Sequence, residues 1–207
     1  MTSPERHLTL VGAEPLAHFY AQIPGFFWFQ ECYERLLHTL PKDRPSAWVE
    51  VGSFQGKSLA WLAVEIANRQ LPVTLHAVDS FEAWEGVPQG QTLRELFEIH
   101  TKPVRDRFTL WPMRSTEAAA QFPDASLDVV FIDGDHEYTA VVADILAWWP
   151  KLKVGGFMAG DDFFMTPVCK AVCEAFAPSG YILCHGWAEL PSPQCWPSWM
   201  ARKGTDA

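Results

Sequence analysis

The feature that most constrains this chain is an alternation of short apolar runs and helical stretches. From residue 48 onward the runs "WVEVG", "VTLHAVD", "FTLW", "DVVFID" and "VGGFMAGDDF" recur, all but "FTLW" closing on or near a Gly or an Asp. Runs apolar on both faces and separated by helices call for right-handed β-α-β crossovers and a mainly parallel sheet. The helical stretches carry apolar residues at helical spacing: Leu59, Leu62, Ala63 and Ile66 after Gly56, then "TLRELFEIH", "STEAAAQF" and Pro167–Phe176. Val141, Val142, Ile145 and Leu146 give the helix after "DGDHEY" an apolar face. Two late runs, "YILCH" and "CWPSWMA", read as closing strands.

A length of 207 residues, 48% of them hydrophobic, suits one α/β domain with a sizeable core. The first forty-odd residues form a prelude. In it Phe26, Phe29, Tyr33, Leu36, Leu37 and Leu40 predict an amphipathic helix after Pro24-Gly25. The expected division is an N-terminal helical extension over 1–45 and the main domain over 46–207. The aromatic cluster Phe19, Tyr20, Phe26, Phe27, Trp28 and Phe29 has three readings: a lid over a ligand, a homodimer contact, or core packing.

Ligands on parallel sheets bind at the carboxyl ends of the strands, so the residues just after each run are the candidates. After the first run stand Gly52 and Gly56 ahead of a helix start, with Glu50 two residues before Gly52. Only three residues separate the glycines, too few for a phosphate loop, and the spacing also fails the dinucleotide fingerprint. The second run ends in Asp79, placed to accept both hydroxyls of a ribose or to cap a turn. The third leads to Met113-Arg114-Ser115, where Ser115 caps a helix or meets a flat base. The fourth ends in Asp133, followed by Gly134-Asp135-His136, and the fifth in Asp161-Asp162. Asp133, Asp161 and Asp162 share one rim. Like charges so placed need a cation or a proton, and an all-oxygen site suits Mg²⁺. A turn with a helix cap is the other reading of "DGD".

Together these residues resemble the class I S-adenosylmethionine-dependent methyltransferases, in particular the methyltransferase domain 24 group related to catechol-type O-methyltransferases. The resemblance spans Trp48 to Phe163 and rests on "EVGSFQGKS", "AVDSFEAWEG" and "SLDVVFIDGDHEYTAVVADILAWWPKLKVGGFMAGDDF". It implies a Rossmann-like, doubly wound, mainly parallel seven-stranded sheet with helices on both faces. It implies that Glu50 and the Gly52–Gly56 loop (Ser53 and Phe54 included) hold the methionine end of S-adenosylmethionine, with Ser58 and Asp133 among the cofactor contacts. Asp79 matches the ribose acid, and Ser80, Phe81 and Ser115 the adenosine contacts. Asp133, Asp161 and Asp162 match the divalent-metal ligands. His136 stands where catechol-type relatives have a catalytic Lys, and Asp135 is the base candidate of sugar-modifying relatives. Lys57 and the Met113-Arg114 pair depart from the family pattern.

The expected activity is metal-assisted O-methylation of a small-molecule hydroxyl, phenol or sugar, with a neutral His136 imidazole as base and Asp135 as the alternative. The competing expectation is a non-catalytic or nucleotide-binding protein of the same fold. Residues 80–103, with Trp84, Gly86 and Gly90, are expected to form a surface loop or a gate over the cofactor. A net charge of −9 argues against nucleic acid as partner. No run of about eighteen apolar residues predicts a membrane span. Five Cys without a Cys-x-x-Cys, among them Cys169 and Cys173 one turn apart and Cys184 and Cys195 around a Pro-rich loop, read as idle thiols of a cytoplasmic protein.

Overall fold

The structure is a computed structural model that describes residues 14–176, the backbone of 182–185, and 198–204. Five parallel strands lie in the order β3-β2-β1-β4-β5: β1 Ser46–Val51, β2 Val73–Val78, β3 Phe108–Trp111, β4 Leu127–Ile132 and β5 Leu152–Gly160. Beyond β5 the sheet continues through β7 (Ser198–Arg202) and β6 (Ile182–His185), which run antiparallel to their neighbours. The α/β, mainly parallel architecture expected from the alternation is thus present. Both late runs hold strands, though Cys195 and the Pro-rich loop lie outside the described residues.

Helices cover both faces, and the period-two pattern of the strands feeds two cores. Trp48, Leu75, Ala77, Val129 and Phe131 face α1 (Gln30–Thr39) and α2 (Lys57–Asn68). Val49, Val51, Val78, Val130 and Ile132 face α4 (Ser115–Ala119), α5 (Tyr138–Trp148) and α6 (Thr166–Phe176). Burial of each strand on both sides is why the runs read as continuously apolar. Between β2 and β3, α3 (Leu93–His100) starts with a complete capping box. The Thr92 hydroxyl accepts from Glu95 N, and the Glu95 carboxylate accepts from Thr92 N at 2.7 Å.

Two local expectations need correction. The first helix begins at Gln30, after Phe29, so Phe26 is outside it and 73% exposed. The cause is upstream: Gly25 sits at φ +117°, and the Phe29 backbone is not helical. On α5, Val141 and Ile145 are buried but Leu146 is 70% exposed, so its inner face is narrower than the four apolar residues suggested.

The N-terminal segment is tied to the main sheet. Cys32, Tyr33, Leu36 and Leu37 of α1 lie in the same core as Trp48, Leu62 and Phe131. The rings of Phe27, Phe29, Tyr33, Trp48 and Phe131 pack edge-on or tilted at centroid distances of 4.6–5.7 Å. Arg69 at the end of α2 is bonded both to Glu34 of α1 and to Glu65. The aromatics therefore pack a core, while Phe26 and Trp28 stay exposed. Among the described residues no helix is long and apolar enough to cross a membrane.

Candidate active site

The strand order reverses between β1 and β4, and the crevice at that reversal is where parallel sheets take ligands. The two chain ends meeting there are close. Asp133 N donates to Val51 O at 2.9 Å, and Gly52 N to Val78 O at 2.9 Å. Gly52 has φ +87°, and a Cβ on it would fall 1.8 Å from the Asp133 carbonyl oxygen. Its missing side chain is thus filled by the backbone after β4. Gly56, at φ +86°, caps α2 against Thr101, whose Cγ2 would lie 2.3 Å from an added Cβ.

Beneath this loop Glu50 is 1% exposed. The Tyr33 hydroxyl donates to Glu50 Oε2 at 2.6 Å, whereas Glu50 Oε1 and the Ser53 hydroxyl have no aligned hydrogen-bond partner. Burial pushes the Glu50 carboxyl up to about 7, tempered by Tyr33 and by the nearby Ser53 and Ser58 hydroxyls. Orphaned buried polar atoms are rare in folded proteins. An acceptor carboxylate beside a hydroxyl suits a cationic amine, which is the donor that an amino-acid end of a cofactor would bring.

Asp79, after β2, organises two loops at once. Its Oδ2 accepts from Phe54 N and its Oδ1 from Phe81 N, both at 2.7 Å. Phe54 and Phe81 stand in the left-handed region, at φ +46° and +52°, a conformation that costs a non-glycine residue about 1 kcal/mol or more. The carboxylate offsets that cost, and its lone pairs still leave room for a diol. Burial raises the Asp79 pKa. Ser80 is exposed beside it. The Trp84 ring, 56% exposed, stands edge-on to Phe54 at 5.5 Å, and Lys57 Nζ donates to Gly25 O at 2.9 Å. Lys57 therefore fastens the N-terminal segment to the mouth of the glycine loop.

Ser115 is engaged elsewhere. Its hydroxyl accepts from Trp148 Nε1 at 2.8 Å and lies against buried Asp144, whose carboxyl burial raises to about 6. That leaves its backbone, not its hydroxyl, for a ligand. Asp135 is exposed and accepts from Glu137 N at 2.9 Å, closing a turn ahead of α5.

At the ends of β4 and β5 the structure gathers Asp133, His136 and Asp162, with one ligand atom of each within 4.8 Å of the others. Asp161 is turned away. It is 6% exposed, and its Oδ1 accepts from Ser198 Oγ of β7 at 3.0 Å. The expected trio of aspartates is thus observed as two aspartates and a histidine, because adjacent residues at a strand end point in different directions. His136 Nε2 lies 2.8 Å from Asp162 Oδ2 and 3.7 Å from Asp133 Oδ1, without an aligned hydrogen bond to either.

The expectation for His136 was a neutral imidazole; the structure sets it between two acids. The carboxylates of Asp133 and Asp162 hold its pKa up at about 10. Burial first, then the Asp162 charge and more weakly that of Asp79, raises Asp133 to about 6; burial and its two acidic neighbours raise Asp161 to about 7.

These shifts share one sign. Glu50, Asp133, Asp144 and Asp161 bind protons more tightly folded than unfolded. Their contribution to stability is complete below the unfolded value of about 4 and is lost as pH rises through 6–7. The His136 contribution fades toward 10. In cation-free buffer the melting temperature should therefore rise by about 5 °C between about pH 8 and pH 5.5. A flat or falling calorimetric midpoint over that range would contradict the arrangement.

The reversal point, the acid after β2 and the loop after β1 define a class I S-adenosylmethionine-dependent methyltransferase fold. The chain belongs to the methyltransferase domain 24 family: that family's sequence model, described as "Methyltransferase domain", matches residues 49–163. The family implies S-adenosylmethionine as cofactor. The chain is 28% identical over 138 residues to uncharacterized protein R132 of Acanthamoeba polyphaga mimivirus, covering 63% of this chain and 57% of that protein. It is 30% identical over 119 residues to uncharacterized protein y4gI of Sinorhizobium fredii, covering 57% of this chain but 13% of that one. It thus spans under two thirds of these relatives' lengths.

Among solved structures, the fold is shared with an rRNA methylase from Streptococcus thermophilus (TM-score 0.60, 14% identity, 86% of this chain and 98% of that one). It is shared likewise with the O-methyltransferase NovP (0.56, 19%, 85% and 78%) and with CalS11, a TDP-rhamnose 3'-O-methyltransferase (0.58, 17%, 83% and 77%).

Proposed function

We propose that this protein methylates a hydroxyl of a small molecule, a phenol or a sugar, using S-adenosylmethionine and a divalent cation. The observation that carries the reading is the Asp133–His136–Asp162 cluster at the ends of β4 and β5, on the same edge of the sheet as Asp79 after β2. Methyl-accepting chemistry would so lie beside the ribose acid. The net charge of −9 supports a small acceptor over a polyanion such as RNA. That Cys32, Cys169 and Cys173 form no disulfide among the described residues supports a reducing, cytoplasmic setting.

The donor set fits a dication: two carboxylates converge with an imidazole nitrogen that lacks an aligned bond. Asp133 and Asp162 would hold it, and Asp161 lies behind them on Ser198. Such an ion, probed first as Mg²⁺, would lower the pKa of an acceptor hydroxyl and offset the two carboxylate charges that otherwise hold the His136 proton. Asp79 orients the cofactor ribose and Glu50 its amino-acid end. His136 Nε2 takes the proton of the acceptor hydroxyl, whose oxygen attacks the methyl carbon in line while the carbon–sulfur bond breaks, leaving a thioether.

The test is product formation by mass spectrometry from a panel of catechols, phenols and sugars, with and without EDTA. Chelation and Asp162→Ala should each abolish turnover while cofactor binding persists. His136→Ala should lower kcat by about 100-fold at nearly constant cation affinity. A His136→Ala loss of cation affinity equal to that of Asp162→Ala would make His136 a ligand and pass the base role to Asp135. Full activity in EDTA would overturn the metal.

The half-exposed Trp84 against Phe54 supports a gate over the cofactor. S-adenosylhomocysteine should slow limited proteolysis within residues 80–91, and identical cleavage with and without it would remove the gate.

A further inference from the structure

We infer that Tyr33, which lies outside the residues the family model matches, is a positioning residue for the amino-acid end of the cofactor, acting through Glu50. This rests on the cofactor reading above. Tyr33 is 0% exposed on α1, and its hydroxyl makes a 2.6 Å bond to Glu50 Oε2. Burial first, then the Glu50 charge, pushes the phenol well above its ordinary value, so it stays a donor.

A glutamate carboxylate, carried on three rotatable bonds, can turn either oxygen to a ligand. Here one oxygen is taken by a residue from another element, and the ring of Tyr33 is itself fixed edge-on against Trp48 and Phe131 at 5.2 and 4.6 Å. The second oxygen, Oε1, is left buried beneath the glycine loop without an aligned hydrogen bond, with the Ser53 and Ser58 hydroxyls nearby. Tyr33 thus does more than fill the core. It selects which oxygen waits for a cationic donor and fixes the plane of the group before that donor arrives. Pre-setting of this kind lowers the ordering cost of binding.

The N-terminal segment would then be part of the cofactor site without touching the cofactor. Removing the phenol oxygen frees the carboxylate to turn and leaves Oε2 without its donor, so the amine meets an acceptor whose geometry it must pay to fix.

The experiment uses two ligands that share the adenosine and sulfur but differ in the amino-acid end. S-adenosylhomocysteine carries the ammonium and carboxylate, whereas 5′-methylthioadenosine lacks both. Calorimetric titration of Tyr33→Phe should show S-adenosylhomocysteine weakened about tenfold or more, with 5′-methylthioadenosine within about twofold of the unaltered protein. In a Glu50→Gln background the same Tyr33→Phe change should cost little further affinity, since the group it positions is already altered. Equal weakening of both ligands would make Tyr33 a core residue only and overturn the inference, as would no weakening of either. An additive loss in the Glu50→Gln background would also overturn it. If the unaltered protein binds neither ligand, the cofactor reading falls and this inference with it.

Discussion

Asp79→Ala should weaken S-adenosylmethionine and its demethylated product by about 10²- to 10⁴-fold. Two charge-assisted hydrogen bonds to a ribose diol, at about 1.5–3 kcal/mol each, set that range. The structure adds a second reason for a large effect. The same carboxylate holds Phe54 N and Phe81 N, and both residues sit in left-handed backbone. Alanine would lose the ligand contacts and release both loops. Asp79→Asn separates the two contributions, because its one carbonyl oxygen keeps a single loop bond and its amide accepts nothing. Calorimetry on the three proteins should give the order Asp, then Asn, then Ala. Equal affinity of the unaltered protein and Asp79→Ala would remove the ribose assignment.

The second large effect is on folding. Gly52→Ala should destabilise the chain by about 4 kcal/mol or more, against a total stability of about 5–15 kcal/mol. The added Cβ would lie 1.8 Å from Asp133 O, 2.4 Å from Asp133 C and 2.8 Å from Gly134 N. All three are backbone atoms of the adjoining strand end, so no side chain can swing aside. Gly90 is the internal control. It has the same φ of +87° but nothing within 4 Å of an added Cβ, so Gly90→Ala should cost only the backbone strain of about 1 kcal/mol. Urea unfolding of both variants measures the difference. Similar midpoints for the two would mean that β1 and β4 do not close on each other as described.

Much of this architecture was legible in the chain because burial on both faces leaves an unmistakable pattern. In "DVVFID" and "WVEVG" successive residues are apolar because Val129 and Val130, like Trp48 and Val49, face opposite cores. The strand-end rule then led to Asp79 and Asp133 without a structure. What failed to show was direction. Asp161 and Asp162 are neighbours in sequence, yet one carboxylate accepts from Ser198 and the other is charge-paired with His136. No periodicity predicts how a chain leaves a strand, and Asp162 itself takes φ +56°. The charge of His136 was not legible either, since it depends on two acids brought together only by folding. Tyr33 was hidden in another way. An aromatic at helical spacing reads as packing, and its role appears only once its hydroxyl is seen 2.6 Å from a buried acid.

The capping box of α3 has a consequence for how such a chain can change. Thr92 and Glu95 close the start of that helix with their own atoms, and Gly90 just before it meets nothing. The stretch from Glu82 to Gln91 is therefore bracketed by two self-sufficient anchors, Asp79 with its loop bonds and the capped helix. Lengthening it would disturb neither, and doubling a flexible loop costs only about 0.6 kcal/mol of closure entropy. Trp84 on Phe54 and Glu82 on Arg114 tie its first half to the domain, which leaves the second half, toward Gly90, as the place for an insertion. Designed insertions at this edge should therefore leave the sheet, the glycine loop and the rim acids as they are.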